Sequence, residues 1–334
     1  MGDRDIYPTV SGDETLQVGF VGAGGVARRH VEVLNGFDDV AVVAVADPVR
    51  EAAEELAAVA GGADVFADVD ALLGGAAVEA LYVCVPPFAH GPPERAALAA
   101  GIPFFVEKPL SVDLGTAETI GAEVEQAALV TATGYHWRNL DTLERARELM
   151  DGRPPRLAIA SWLDKVPPVG WWTERARSGG QTVEQATHLL DVMLELLGPV
   201  DEVHAIGART PRSAFPHADV DDVSSATLRF RSGAVGSVVS SCLLGAKHRA
   251  SVEIVGDGYV LVLTEDELMI DLGNGRETMR ADGGAKTQVD RDFVDAVRAH
   301  DPGLPRAPYA SALRTHQLAC EIARSALEGR SIAV

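Results

Sequence analysis

A glycine-rich turn set between a strand and a helix constrains this chain more than any other feature. Leu16 to Val21 is an apolar run of strand length, and Gly22-Ala23-Gly24-Gly25-Val26-Ala27 follows it directly. Each small residue in this G-x-G-x-x-A spacing has a physical reason. Gly22 permits a tight turn, Gly24 lets the backbone approach a pyrophosphate, and Ala27 lets the next helix pack closely on the sheet. That helix, with Gly25 and Val26 in its first turn, offers unpaired N–H groups and a positive dipole end to phosphates. A glycine turn alone can be purely structural. Here the second strand, Val40 to Ala46, ends in Asp47, where a carboxylate can hydrogen-bond the ribose hydroxyls of an adenosine. Strand, glycines, helix, strand and acid in that order point to a bound dinucleotide. The carboxylate repels a 2′-phosphate, so NAD is favoured over NADP, with Arg50 near enough in sequence to complicate the choice.

The alternation continues. Strand-like runs lie near Val65 and at Ala80 to Val85, Pro103 to Val106 and Leu129 to Thr133. Ala-rich amphipathic stretches separate them, at Gly25 to Leu34, Arg50 to Ala60, Pro93 to Ala100 and Leu114 to Ala127. Strands alternating with helices predict βαβ units, and strands apolar throughout predict a parallel sheet covered on both faces. From Arg138 the rhythm changes. A helix at Asp141 to Met150 and a strand at Arg156 to Leu163 precede a loop rich in Trp and Arg, and a long helix is expected over Thr182 to Leu197. Strand-like runs follow at Val203 to Ala208, Ser224 to Phe230, Ala234 to Ser241, Ala250 to Val255 and Val260 to Leu263. Arg231-Ser232-Gly233 and Gly256-Asp257-Gly258 read as hairpin turns. Two helices, Gln288 to His300 and Pro308 to Glu328, close the chain. The expected class is α/β: an N-terminal doubly wound parallel sheet of Rossmann type, then an α+β domain with an antiparallel or mixed sheet. The expected boundaries are a tail over 1–15 and domains over 16–136 and 137–334.

The net charge of −20 disfavours nucleic acid and anionic membranes as partners. No apolar run approaches the ~18 residues that span a bilayer, and the acidic, polar start of the chain does not read as a signal peptide. Three widely spaced cysteines, Cys84, Cys242 and Cys320, form neither a disulfide framework nor a metal cluster. A cytoplasmic protein without a metal is expected.

Three later segments carry candidate chemistry. Val83-Cys84-Val85-Pro86-Pro87 ends a strand in prolines that hold the backbone extended beside a cofactor. Glu107-Lys108-Pro109 ends the next strand; a lysine there is often only solvated, but beside a nicotinamide it can stabilise negative charge on a substrate oxygen. In the third, Gly179-Gly180 leads into a helix with Glu184, His188 and Asp191 on one stripe. Val183, Ala186, Leu190, Met193 and Leu197 form the opposite, core-facing stripe. An exposed polar face explains the first stripe equally well, and no further His or Cys completes a metal site.

Taken together, these segments resemble the Gfo/Idh/MocA oxidoreductase family from about Leu16 to Gly329. The similarity rests on Gly22-x-Gly24-x-x-Ala27 with His30, on Glu107-Lys108-Pro109 and on Gly134-Tyr135-His136-Trp137-Arg138. Gly179-Gly180 with Glu184, His188 and Asp191, and the closing stretch from Tyr309 to Gly329, complete it. The resemblance implies an NAD(P)-binding Rossmann domain and a C-terminal substrate domain whose large, open, mostly antiparallel sheet builds homodimers or homotetramers. It implies hydride transfer between nicotinamide and a carbinol carbon of a sugar, cyclitol or related polyol. Lys108 corresponds to the catalytic lysine and His188 to the acid/base histidine, with Glu184 where many members carry Asp. Val85, Pro86, His90 and Glu107 fall at the cofactor. Val85 and Pro87 stand where relatives often have Thr and Asn, which leaves backbone contacts there. Tyr135, His136, Arg138, Trp171, Trp172 and Arg177 are candidate substrate contacts, with Arg175 beside them; core packing and solvation explain the last four as well. Two other readings belong to the same resemblance: an NAD-dependent enzyme that cleaves glycosides through transient oxidation, and a non-catalytic nucleotide sensor.

Overall fold

In a computed structural model of the protein, which describes residues 15–334, the chain divides into two compact units. The first holds the chain up to Ser111, Gly115–Gly134 and Lys286–Ser311; the second holds Val112–Leu114, Tyr135–Ala285 and Ala312–Val334. Of the expected tail, residues 1–14 lie outside the described residues.

The first unit alternates as the sequence predicts, with one helix, over Val69–Gly75, that the sequence did not reveal: β1 (Leu16–Val21), α1 (Gly25–Leu34), β2 (Val40–Ala46), α2 (Arg50–Val59), β3 (Asp64–Phe66), α3 (Val69–Gly75), β4 (Ala80–Val83), α4 (Pro92–Ala100), β5 (Phe104–Val106), α5 (Leu114–Ala127) and β6 (Thr131–Thr133). The six strands are all parallel, in the order β3-β2-β1-β4-β5-β6. Leu16, Val18 and Phe20 of β1 and all of β4 and β5 are buried, as two covered faces require. Strand order reverses between β1 and β4, so a crevice opens beyond their carboxyl ends, where such sheets bind ligands. A single cut after residue 136 does not provide for the return of 286–311. Packing explains the return: Val289, Phe293, Val294, Ala296 and Val297 join Phe20, Tyr82 and Phe105 in one apolar cluster.

The second unit contains α6 (Asp141–Met150), β7 (Pro155–Leu163), α7 (Arg175–Ser178), α8 (Gln181–Glu184), α9 (Thr187–Leu197), β8 (Val200–Ala208), β9 (Val223–Phe230), β10 (Val235–Ser241), β11 (Arg249–Gly256), β12 (Tyr259–Leu263), β13 (Glu267–Asp271) and β14 (Arg276–Arg280). Helix α10 (Ala285–Ala299) belongs almost wholly to the first unit, and α11 (Tyr309–Glu328) and β15 (Ile332–Ala333) end the chain. Nine strands form one sheet, β14-β13-β12-β11-β7-β10-β9-β8-β15, antiparallel except where β7 runs parallel to β10. Both expected hairpin turns join antiparallel neighbours, β9 to β10 and β11 to β12. Leu189, Leu190 and Met193 of α9 share a core with Ala158, Ala160, Val252 and Ile254 of the sheet. Ile159, Ile206 and Val235 stay exposed.

Candidate active site

The glycine loop lies at the reversal of strand order. Gly22 has φ of +94°, and a Cβ there would lie 2.3 Å from the Cys84 carbonyl oxygen, so only glycine fits between the loop and the end of β4. Gly24 and Gly25 instead border open space. Gly24 is the N-cap residue of α1 and supplies no side-chain cap, which leaves first-turn N–H groups and the positive dipole end for a phosphate. Val26 is exposed while Ala27 packs inside, as the fingerprint requires. Asp47 accepts hydrogen bonds from Ala23 N and Val49 N, both at 2.8 Å, which ties the carboxylate to the loop. Its oxygens keep further lone pairs for a ribose diol. Arg50, which complicated the choice of cofactor, pairs with Glu54 at 2.7 Å.

Val85 and Pro86 are half-buried at the same edge of the sheet. His90 is buried, with Nδ1 2.5 Å from Glu94 Oε1, and Glu94 also accepts from Gly91 N. Donation from Nδ1 leaves Nε2 as an acceptor, and this buried atom has no hydrogen-bond partner among the described residues. An open glycine cradle, an uncapped helix start and an orphaned imidazole nitrogen together fit a dinucleotide. Next along the sheet, β5 delivers Glu107 and Lys108. Glu107 is buried; Arg29 and His30 donate to its Oε1 at 3.1 and 2.9 Å, and Lys108 N donates to Oε2 at 3.1 Å. A Cβ on Gly134 would fall 2.4 Å from Oε2, so this glycine makes room for the carboxylate. Lys108 itself is half-buried.

In the second unit, Tyr135 precedes a short turn of 3₁₀ helix, His136–Asn139, whose residues are all buried. His188 is the second residue of α9. Its ring centroid lies 5.3 Å from His136 and 5.9 Å from Tyr135, both edge-on, and it stacks on Trp162 at 5.9 Å and Trp137 at 6.4 Å. Tyr135 Oη bonds Thr187 Oγ1 at 2.7 Å, His136 Nε2 meets Glu265 at 3.1 Å, and Lys247 Nζ sits 4.9 Å from the Trp162 ring centre. Trp162, Lys247 and Glu265 were not among the residues singled out from sequence. A tryptophan near the end of an expected strand was the available signal for the first; nothing local marked the other two.

The expected helix over 182–197 is two segments, α8 and α9. Ala186 N–H reaches back five residues to Gln181 O at 2.9 Å, and this wide turn interrupts the i, i+4 ladder. Glu184 and His188 therefore stand on separate segments instead of one continuous stripe, and Glu184 accepts from Trp172 Nε1 at 2.7 Å. Asp191 is fully buried and takes two bonds from Arg138, at 2.8 and 2.5 Å, and one from Thr315 at 2.7 Å. Arg138 also reaches Glu195 at 3.2 Å, so its guanidinium is occupied inside the unit. Burial opposes that charge, and the Asp191 and Glu195 carboxylates outweigh it, holding the group further above its ordinary pKa. Trp172 is buried, Trp171 half-buried, Arg177 half-buried and 3.5 Å from Glu174, and Arg175 pairs with Asp221 at 3.1 Å.

Among the described residues no group of three or more His, Cys, Asp or Glu could hold a metal ion, and no helix is long and apolar enough to cross a membrane. Residues 16–135 match the model of a family described as an oxidoreductase family with an NAD-binding Rossmann fold, and residues 146–261 match its C-terminal domain. A myo-inositol 2-dehydrogenase of Thermotoga maritima is 26% identical over 246 residues, 72% of this chain and 73% of that protein. An inositol 2-dehydrogenase of Acidothermus cellulolyticus is 28% identical over 320 residues, 91% of each. A levoglucosan dehydrogenase solved in complex with NADH shares the fold, with a TM-score of 0.87 at 20% identity over 96% of this chain and 99% of that one. The two domain matches take in most of the sequence, and the chain belongs to the Gfo/Idh/MocA family of oxidoreductases, with an NAD-binding Rossmann domain at its start.

Proposed function

We propose that the protein is an NAD-dependent dehydrogenase acting on a CH–OH group of a sugar, cyclitol or related polyol. The observation that carries the reading is a pair of groups in a family of oxidoreductases. One is Lys108 at the carboxyl end of β5, the edge that also bears the glycine loop. The other is His188, enclosed by rings in the second unit. Relatives that are inositol 2-dehydrogenases support the substrate class.

Bound NAD supplies the hydride acceptor for oxidation and, reduced, the hydride donor. Lys108 then hydrogen-bonds the reacting oxygen and stabilises the negative charge that develops on it. His188 takes the hydroxyl proton in oxidation and returns it in reduction, a task suited to an imidazole, whose ring nitrogens can accept and donate a proton. Glu184 supplies the carboxylate that favours the imidazolium. The polar groups of Tyr135, Arg138 and Trp172 are engaged by Thr187, Asp191 and Glu184, so these three act by packing and by holding their neighbours in place. His136, Trp171 and Arg177 are the side chains offered to substrate hydroxyls. The exposed apolar residues Ile159, Ile206 and Val235 on the nine-stranded sheet support assembly of a cytoplasmic homodimer or homotetramer.

The test mixes protein and NAD with a panel that includes myo-inositol and levoglucosan and follows the absorbance of reduced nicotinamide. Turnover on a polyol is expected. Silence across the panel with glycoside cleavage that needs NAD would replace the reading with the cleaving enzyme, and faster turnover with NADP would overturn the cofactor.

A further inference from the structure

A histidine that the proposed reaction does not use lies beneath the Glu-Lys-Pro segment, fully buried between two carboxylates. His30 Nδ1 is 2.6 Å from Asp290 Oδ1 and its Nε2 is 2.9 Å from Glu107 Oε1. A neutral imidazole can donate from one nitrogen only, and both nitrogens face a carboxylate; the two carboxylates favour the imidazolium over the neutral ring that would accept from Arg29 at Nε2. Tyr82 and Phe105 pack on it with centroids at 5.4 and 4.9 Å and keep water away. Arg29, on the same helix, lies 3.0 Å from Nε2 and 3.1 Å from Glu107 Oε1, so one carboxylate is shared by two cations. The charged and titratable groups around His30 are therefore Arg29 from α1, Tyr82 and Cys84 from β4, Glu107 and Lys108 from the end of β5, and Asp290 from α10.

The chain of contacts ends at the lysine, because the second oxygen of Glu107 accepts the backbone N–H of Lys108. We infer that His30 and Asp290 are positioning residues for Lys108: a carboxylate–imidazolium–carboxylate chain, Asp290–His30–Glu107, fixes the backbone from which the lysine side chain reaches the substrate. The consequence for catalysis rests on the dehydrogenase reading; the positioning itself does not. Burial pulls the His30 imidazole down, but Asp290 and Glu107 outweigh it and push it up to about 9. Burial likewise raises the Glu107 carboxyl, and His30 and Arg29 outweigh that and bring it down to about 2. Both directions agree with a chain that stays charged across neutral pH.

The chain has lysines only at Lys108, Lys165, Lys247 and Lys286, so ¹⁵N-lysine labelling gives a sparse amide spectrum in which Lys108 is assigned by Lys108→Arg. In Asp290→Asn, and separately in His30→Gln, the Lys108 amide signal is expected to shift or broaden while Lys165 and Lys247 stay in place. With myo-inositol or levoglucosan as substrate, the same variants should lose about 10–100-fold in kcat while the affinity for NADH changes less than about twofold. The double variant should be no worse than the worse single one, since both act along one path. An unmoved Lys108 signal, or equal movement of all the signals, would overturn the positioning role, as would a kcat loss matched by the loss of NADH binding. If one variant does not fold, Glu107→Gln probes the same link from its other end. A wild-type protein inactive on every polyol would sink the dehydrogenase reading and still leave the amide spectrum to decide the positioning.

Discussion

The two units hold their proposed reacting groups by different means. In the first, Lys108 follows a carboxylate fixed by charge, with Arg29, His30 and Asp290 linked through bonds of 2.6–3.1 Å. In the second, His188 is fixed by shape, between Trp137 and Trp162 and against the edges of Tyr135 and His136. A position held by buried charge is sensitive to pH and to the loss of one partner, because the remaining charge stays buried without compensation. A position held by rings is sensitive above all to volume and contact area. The second unit has its own buried ion pair, Arg138–Asp191, but a guanidinium does not titrate in the ordinary range.

The contrast can be broken by experiment, and the tryptophans make this convenient. All four, Trp137, Trp162, Trp171 and Trp172, lie in the second unit, so their fluorescence reports on it while circular dichroism reports on both. The largest effect is expected from Asp290→Ala, which leaves His30 and Glu107 without their balance and should cost about 3–5 kcal/mol. Denaturant melts should show the loss by circular dichroism with the fluorescence transition unmoved; a common shift of both would mean that the units unfold as one and the contrast fails.

Next comes pH. His30 is raised from 6.5 to about 9, so its contribution is present in full below the unfolded value and is lost as pH rises through about 9. Glu107 has the opposite sign: lowered from 4.5 to about 2, its contribution is present above the unfolded value and is lost as pH falls through about 2. Wild-type melts between neutral and alkaline pH should therefore weaken in the first unit's transition, and His30→Gln should flatten that slope. A slope that survives His30→Gln belongs to other groups. The smallest effect is expected from Trp162→Leu, which removes one stacking face worth about 0.5–1.5 kcal/mol. It should lower kcat by about threefold to tenfold without moving the alkaline stability limb.

Much of the first unit was legible because its signals are local. A glycine pattern, an acid at the end of β2 and runs of one hydrophobic period each specify their own neighbourhood. The hairpins of the second unit were legible for the same reason. β13 and β14 were not: Glu267–Asp271 and Arg276–Arg280 are five residues each, and the second is largely charged and exposed at the edge of the sheet. The split between α8 and α9 was also hidden, since Gln185 and Ala186 carry no breaker that marks a wide turn. Least legible was the charge chain. His30 lies 77 positions from Glu107 and 260 from Asp290, and an amphipathic helix such as α10 does not announce which sheet it covers. Lys108 and His188 could be singled out by motif, while the residues that hold them in place required the fold.

Single-turnover hydride transfer in the wild-type protein, Lys108→Ala and His188→Ala, with NADH binding measured on the same samples, tests the central claim most directly. Both variants should bind NADH as the wild type does and transfer hydride about 10²–10⁴-fold more slowly. Transfer at the wild-type rate in both, with binding intact, would contradict the account.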